Sequence, residues 1–576
     1  MKKFFFLLLT STLAACSTQT TQEHKTLFET SEGMQSAPYA EGIAWWQSLS
    51  SDYSQIQMQE YGMTDAGIPL HTITLSKEGK KLSDLSKTDK TIILINNAIH
   101  PGEPDGVDAS MVLYRDLANT ESTLLDSCII VCIPYYNIGG AINRNSTTRA
   151  NQDGPEEYGF RGNAQNLDLN RDFVKCDSRN AQSFAKLLQL IDPDMYIETH
   201  VSNGADYQYP MTYLSTQPDK LGGEMDKQLR TRMIPGIKRK MKAKDNEIVP
   251  YVNHWGGPLK NSYATFYDSP RYSSGLTTLH NIYGFITETH MLKPFKQRVY
   301  ATYDYLLSSL EYAHEQSSEI QRTRNAQKQS VAAAKRLPID WAVDNFDFMQ
   351  MEFKGYEYAY KKSKVTGEDR LYYDRTKPIT KSMFYRHAML ATKHKDKPTA
   401  YLLRRGFTAV EDRLRWNGVQ LIELKKDTSM RVASYIIEDY ETVKTPYEKH
   451  YLHSQTKARL DTITWTFRKG DYLIPMGTDK DRFILEMLEP EGPDSYFNWN
   501  FFDAVLQQKE HYSAYVFEDK AAAILEENPA LRQELELKKR QDKDFNKNAS
   551  AQLEWVYTHS SHYEKEHNRL PVFKTL

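Results

Sequence analysis

His100-Pro101-Gly102-Glu103 follows directly on an apolar run, Thr91 to Ile95. Pro101 and Gly102 forbid a helix there, so the imidazole and the carboxylate sit on a loop. A bend of that size folds two side chains, three positions apart, onto one point. A nitrogen and a carboxylate oxygen converging in this way suit Zn²⁺, which takes such ligands at ~2.0–2.2 Å and keeps a water position open in catalytic sites. By itself the pattern is weak, since a chain with 16 His meets about one His-x-x-Glu by chance. Glu198-Thr199-His200 and Glu288-Thr289-His290 are look-alike tripeptides, each closing a strand-like run. Residues i and i+2 of a strand share a face, so spacing does not single out the Glu or the His in either. The helical His-Glu-x-x-His arrangement is absent, which argues against a thermolysin-like site.

The elements that must position these residues alternate between strand and helix. Tyr39 to Tyr53 reads as a helix with Trp46, Leu49 and Tyr53 on one stripe, and strands follow near 55–60 and 70–75. After the buried strand leading to His100, Asp105 to Leu117 is helical, with Val107, Met111, Tyr114 and Leu117 on one face. Cys128 to Ile133 is a second buried strand, and Phe184, Leu187, Leu188 and Ile191 mark a helix stopped by Pro193. Met195 to Thr199 and Ile282 to Thr287 are strands ending at His200 and Glu288, and a long helix follows Pro294. This alternation predicts an α/β sheet covered on both faces over residues 39–330. His100, His200 and Glu288 all fall where strands end, the place where open α/β sheets carry ligands.

A boundary is expected near 330–337. Beyond it, at 338–576, short strands at Ala400–Leu403, Val419–Leu424, Arg431–Ile437 and Asp461–Phe467 predict a β-rich accessory domain, sandwich-like, with some helix and no assigned role.

The 576 residues carry 73 Lys and Arg against 75 Asp and Glu, a net charge of −2, which excludes a nucleic-acid footprint. Lys2 and Lys3 precede an apolar run, Phe4 to Leu9, too short to span a bilayer, and the segment closes on Leu13-Ala14-Ala15-Cys16. That ending resembles the lipobox of bacterial lipoproteins. The resemblance implies a signal peptide over 1–15, acylation of Cys16, a lipid-anchored place in the cell envelope at the outer membrane, and a flexible tether over 16–38. Cys128 and Cys132 lie about 13 Å apart along one strand, too far for a disulfide.

Four separated pieces resemble the zinc metallocarboxypeptidases of the carboxypeptidase A/B type: His100-Pro101-Gly102-Glu103, Asn166-Leu167-Asp168-Leu169-Asn170-Arg171, Thr199-His200, and Tyr283-Gly284-Phe285-Ile286-Thr287-Glu288. The likeness spans about 40–315 and implies a mixed sheet sandwiched by helices, one Zn²⁺, and peptide substrates with a free C-terminus. It implies His100, Glu103 and His200 as metal ligands, Glu288 as general base, and Asn170 with Arg171 as the clamp for the substrate's terminal carboxylate. For the arginine that steadies the oxyanion it leaves Arg144, Arg149 and Arg161; the nine-residue spacing to Asn170 favours Arg161. Tyr272 is the candidate for the mobile tyrosine over the substrate. The implied activity is removal of C-terminal residues from peptides. The alternatives are a deacylase of the aspartoacylase and succinylglutamate desuccinylase type, and a non-enzymatic glycan- or peptide-binding surface lipoprotein.

Overall fold

A computed structural model of the chain describes residues 24–120 and 122–576. The signal segment 1–15 and the acylation candidate Cys16 lie outside the described residues.

Strands β1 (Ile56–Met63), β2 (Pro69–Leu75), β3 (Thr91–Asn96), β4 (Cys128–Ile133), β5 (Met195–Ser202), β6 (Met211–Ser215) and β7 (Val249–Pro250) precede a short β8 (Ser262–Ala264) and then β9 (Tyr283–His290). All but β8 form one eight-stranded sheet in the order β1-β2-β4-β3-β5-β9-β6-β7. The central strands β4, β3, β5 and β9 run parallel, while β2 joins β4 and β6 joins β9 antiparallel. The sheet is therefore mixed, as expected. β3, β4 and β5 are buried along their whole length, which is why they read as unbroken apolar runs.

Helices cover both faces. Thr199 lies under the helix Asp105–Asn119, so close that a Cβ on Gly106 would fall 2.1 Å from its Oγ1. The long helix Phe295–Ala333 packs beside that helix. On the other face Tyr196 meets Phe184 of the helix Arg179–Ile191, ring centres 6.0 Å apart. By the two-residue period of a strand, Glu198 and His200 share that second face with Tyr196. β3 neighbours both β4 and β5, so the chain leaves it in one direction and returns on the other side. The crevice at that switch point, beyond the strands' carboxyl ends, is where such sheets place ligands.

Two expectations need correction. Residues 24–38 are not a tether. Phe28 is buried against Phe295 and Tyr300, and His24 Nε2 lies 2.8 Å from Asp52 Oδ2. One aromatic anchor is enough to dock a stretch whose composition is otherwise polar. The second is the sandwich beyond residue 338. There, β10 (Arg336–Val343) pairs with β13 (Met389–Asp396), and β11 (Met349–Lys362) with β12 (Asp369–Arg386) makes a long ribbon. The ribbon is taken up by the α/β part. β12 pairs with β8, and Phe353 and Met383 share a core with Tyr207, Tyr209 and Tyr263. The ribbon therefore does not serve as a second layer of a sandwich.

That sheet contains β14 (Ala400–Leu403), β15 (Ile422–Glu423), β16 (Thr428–Thr442), β17 (His453–Phe467), β18 (Tyr472–Pro475) and β19 (Arg569–Thr575), in the order β15-β18-β14-β19-β16-β17. Helices Ala514–Glu527, Pro529–Gln541 and Ala549–Thr558 close a small core of their own around Phe517, Leu535 and Tyr557. Cys128, Cys132 and Cys176 are buried and free. No helix among the described residues is long and apolar enough to cross a membrane.

Candidate functional site

β3 ends at Asn96, and Ala98 then takes φ +55°. For a residue bearing a Cβ this costs roughly 1–3 kcal/mol, and such strain survives only where the surroundings fix it. Here the carbonyls of Asn97 and Ala98 accept the Tyr136 and Asn137 N–H groups at 3.0 and 3.1 Å. The bend launches His100, and a turn closes behind it as Glu103 N–H donates to the His100 carbonyl at 2.8 Å. Gly102 is required in this turn: a Cβ would lie 2.6 Å from Arg149 Cδ. Its absence lets Arg149 pass and donate to Glu103 Oε1 at 2.9 Å.

Three potential ligand atoms converge. Glu103 Oε2 is 3.4 Å from His100 Nδ1 and 2.9 Å from His200 Nδ1, and the three residues' ligand atoms lie within 4.8 Å of one another. All three side chains are buried. The outward nitrogens are held as well. His100 Nε2 is 2.9 Å from Asp168 Oδ1. His200 Nε2 is hydrogen-bonded to Glu198, whose other oxygen accepts the Tyr196 hydroxyl at 2.7 Å. A carboxylate behind each ring fixes its orientation and leaves Nδ1 for the cluster, the usual support of a metal-binding histidine. Two imidazole nitrogens and one carboxylate fit an open, catalytic zinc site and not a closed structural one.

Electrostatics agree with this arrangement. Burial raises the Glu103 carboxyl, but Arg149 and the two histidines overcome it and hold the group well below the usual range. Asp168 is likewise held down, against burial, by His100, Arg161 and Arg171. Burial disfavours charge on His200, yet Glu198 and Glu103 outweigh it and push the ring up to about 10 in the metal-free chain. Near neutral pH the metal-free ring therefore carries two protons, and a metal must displace the one on Nδ1. Zinc binding at pH 7 should then release about one proton, and affinity should rise up to tenfold per pH unit between pH 6 and 9. Calorimetry in buffers of different ionisation enthalpy measures the release. Uptake of zinc with no proton released would remove His200 from the ligand set.

The cluster lies in a cavity of about 440 Å³ that is also lined by Glu288, Arg161, Asn170, Arg171 and Tyr272. The structure thus brings the three candidate ligands together with Glu288, Arg161, Asn170, Arg171 and Tyr272. Glu288 sits opposite His200 in the β5–β9 register. Burial, then the Glu103 and Glu198 charges, push it up to about 8 against the opposing pull of His200 and Arg161. The look-alikes separate here. Glu198 is fully buried behind His200, and His290 faces the Ala205 carbonyl at 3.1 Å, with burial pushing its ring down to about 4.

Arg171 lies over the Tyr272 ring, 4.6 Å from its centre, and spends one N–H on the Asn170 carbonyl at 2.8 Å. The Asn170 amide is 3.3 Å from His200 Nε2. Of the three arginines, Arg144 points away, donating to the Ser36 and Glu157 carbonyls. Arg149 is committed to Glu103, while Arg161 reaches the pocket half-exposed, fastened to Asp168 at 2.8 and 3.0 Å. Ile286 from the Tyr283–Glu288 piece, with Leu214, Tyr251 and Phe266, which no sequence motif announced, supplies an apolar wall. A larger cavity, about 610 Å³, adjoins across Leu214, Tyr251 and Phe266, but the metal-capable cluster and Glu288 do not line it.

No family model and no curated protein matches the chain. Solved structures similar to it include a metallo-carboxypeptidase from Burkholderia cenocepacia, at 15% identity over 48% of this chain and 68% of that one, TM-score 0.36. A metallo-carboxypeptidase from Pseudomonas aeruginosa in complex with (2-guanidinoethylmercapto)succinic acid is similar at 12% identity, over 48% and 68%, TM-score 0.36. Bovine thrombin-activatable fibrinolysis inhibitor in complex with tick carboxypeptidase inhibitor is similar at 13% identity, over 50% of this chain and 98% of that chain, TM-score 0.37.

Proposed function

We propose that the protein is a zinc-dependent metallocarboxypeptidase that hydrolyses the last peptide bond of chains with a free C-terminus. The observation that carries the reading is the convergence of His100 Nδ1, His200 Nδ1 and the Glu103 carboxylate in a cavity shared with Glu288 and Arg171. A zinc ion held by those three residues would polarise the scissile carbonyl and acidify a water toward pKa ~7.

The remaining chemistry belongs to the chain. Arg171 presents a planar fork of N–H donors matched to a carboxylate, with Asn170 beside it, so the substrate's terminus is pinned and the register of its last bond is set. Tyr272, resting on the Arg171 guanidinium, flanks the same group. Glu288 takes the proton of the attacking water and returns it to the leaving amine. Its carboxylate makes no hydrogen bond among the described residues, so an acceptor is free. Arg161 stands by the developing oxyanion, a fixed cation where negative charge builds. The N-terminal segment supports a lipid anchor at Cys16 and a place in the cell envelope.

The direct test is metal content. The purified protein should hold about one zinc per chain, and His200→Ala should lose most of it, because two ligands do not retain a metal that three hold. Stoichiometric zinc in His200→Ala would refute the ligand set.

A further inference from the structure

The hairpin β16–β17 belongs to the sheet beyond residue 338, yet its tip reaches Asp168, the residue behind His100. Thr442 and His453 are paired, and the loop between them ends in Tyr447-Glu448-Lys449-His450. Tyr447 N–H donates to the His450 carbonyl at 2.7 Å and His450 N–H returns to Tyr447 at 3.0 Å, leaving a two-residue turn. Its central residues have φ +47° and +76°. Two positive values mark the I′ form, which favours Asn-Gly and strains any residue with a larger side chain. Glu448 and Lys449 occupy it nonetheless. Backbone strain of this kind, held by its surroundings, points to a function for the residue that bears it.

Glu448 has a specific contact. Its Oε2 accepts the backbone N–H of Asp168 at 2.9 Å. Asp168 Oδ1 in turn lies 2.9 Å from His100 Nε2 and accepts the Asn170 N–H at 2.9 Å. The turn is clamped beside this contact by His450 Nε2, 2.6 Å from Asp177 Oδ2. The same region grips the other side of the pocket. Asp494 accepts the Arg271 backbone N–H and guanidinium at 2.9 and 2.8 Å, and Arg271 lies over the Tyr447 and Trp499 rings, next in sequence to Tyr272.

We propose that Glu448 is a positioning residue of the metal site, supplied by the second part of the chain and acting on His100 through Asp168. The turn sets the Glu448 carboxylate, the carboxylate sets the Asp168 backbone, and Asp168 sets both the His100 ring and the start of the Asn170-Arg171 segment. The region beyond 338 is on this account part of the site's supporting shell. The inference rests on the reading of His100, Glu103 and His200 as metal ligands.

The experiment compares zinc affinity, kcat, KM and thermal midpoint for the full chain and four variants. Glu448→Gly removes the contact but relaxes the turn, because glycine accepts positive φ without penalty. Its midpoint should equal or exceed that of the wild type, while zinc affinity and kcat fall by roughly tenfold, the lower end for lost support of a ligating histidine. Glu448→Ala should show the same losses. Glu448→Gln keeps an oxygen for the Asp168 N–H and should stay within about threefold of wild type. Lys449→Gly relaxes the turn with the contact intact and should keep wild-type affinity and kcat. Wild-type zinc affinity and kcat in Glu448→Gly would overturn the proposal, including the case in which Glu448→Ala merely unfolds. A wild-type chain that binds no zinc would instead refute the metal site itself, so the two failures are distinguishable.

Discussion

Replacing Glu288 by Gln is expected to leave zinc content unchanged and to lower kcat/KM by roughly 10²–10⁴-fold, the span for removing a positioned general base. The amide keeps the size of the side chain but accepts no proton at the working oxygen. Zinc is retained because Glu288 stands outside the group of potential ligands, His100, Glu103 and His200. The other groups in the look-alike tripeptides have no way to compensate. Glu198 is buried and bonded to His200 and Tyr196, and His290 is turned to the Ala205 carbonyl. The sign of the pH dependence follows from the same carboxyl. Burial raises its pKa, to about 8 in the metal-free chain, and a dication among the three neighbouring ligands would oppose that rise. Whatever the resulting value, kcat/KM falls as pH drops through it, since a protonated carboxyl accepts nothing, and that acid limb should vanish from the residual activity of Glu288→Gln. Near-wild-type turnover in the variant would take the base role from Glu288.

A second large effect is expected from the substrate's own charge. Amidating the C-terminus of a good peptide removes the carboxylate that Arg171 would hold and leaves the half-buried guanidinium, beside Tyr272, with only the Asn170 carbonyl and Asp168, 3.9 Å away. Losing one partner of a desolvated, hydrogen-bonded charge pair costs about 2–5 kcal/mol, or about 30-fold to several-thousand-fold in kcat/KM. Arg171→Ala should reduce cleavage of the free-acid peptide comparably, with zinc content intact. It should also shrink the difference between free-acid and amidated peptides, because both changes act on one contact and do not add. Wild type and variant on the two peptides make a complete cycle. Equal cleavage of both peptides by the wild type would leave an endopeptidase or a deacylase on the same metal site.

The sequence was most informative where chemistry and fold coincide. A buried strand followed by Pro-Gly announces both a sheet edge and a loop that gathers His100 with Glu103, and strands that carry His200 and Glu288 two residues before their ends bring the rest to that edge. Contacts made across the chain were not legible. Glu198 reads as a rival to Glu288 because a two-residue period gives it the same face as His200; only its burial and its bond to that ring show it to be support. Glu448 is 280 residues from the amide it meets, and no periodicity records such a pairing. The ribbon β11–β12 escaped notice because most of its length is exposed, so alternation of apolar and polar residues is blurred. Phe28 shows the reverse error: one buried ring overrides a composition that reads as linker.

β19, at Arg569–Thr575, lies between β14 and β16 and pairs with both. Residues reached late in translation thus hold the inner edge of the very hairpin whose turn touches Asp168. Until they arrive, β16 has an unpaired side and the turn has no fixed base. A chain cut short before β19 would keep the loop after β3 that carries His100 and the strand β5 that carries His200, but would lose the edge that steadies the Glu448 turn.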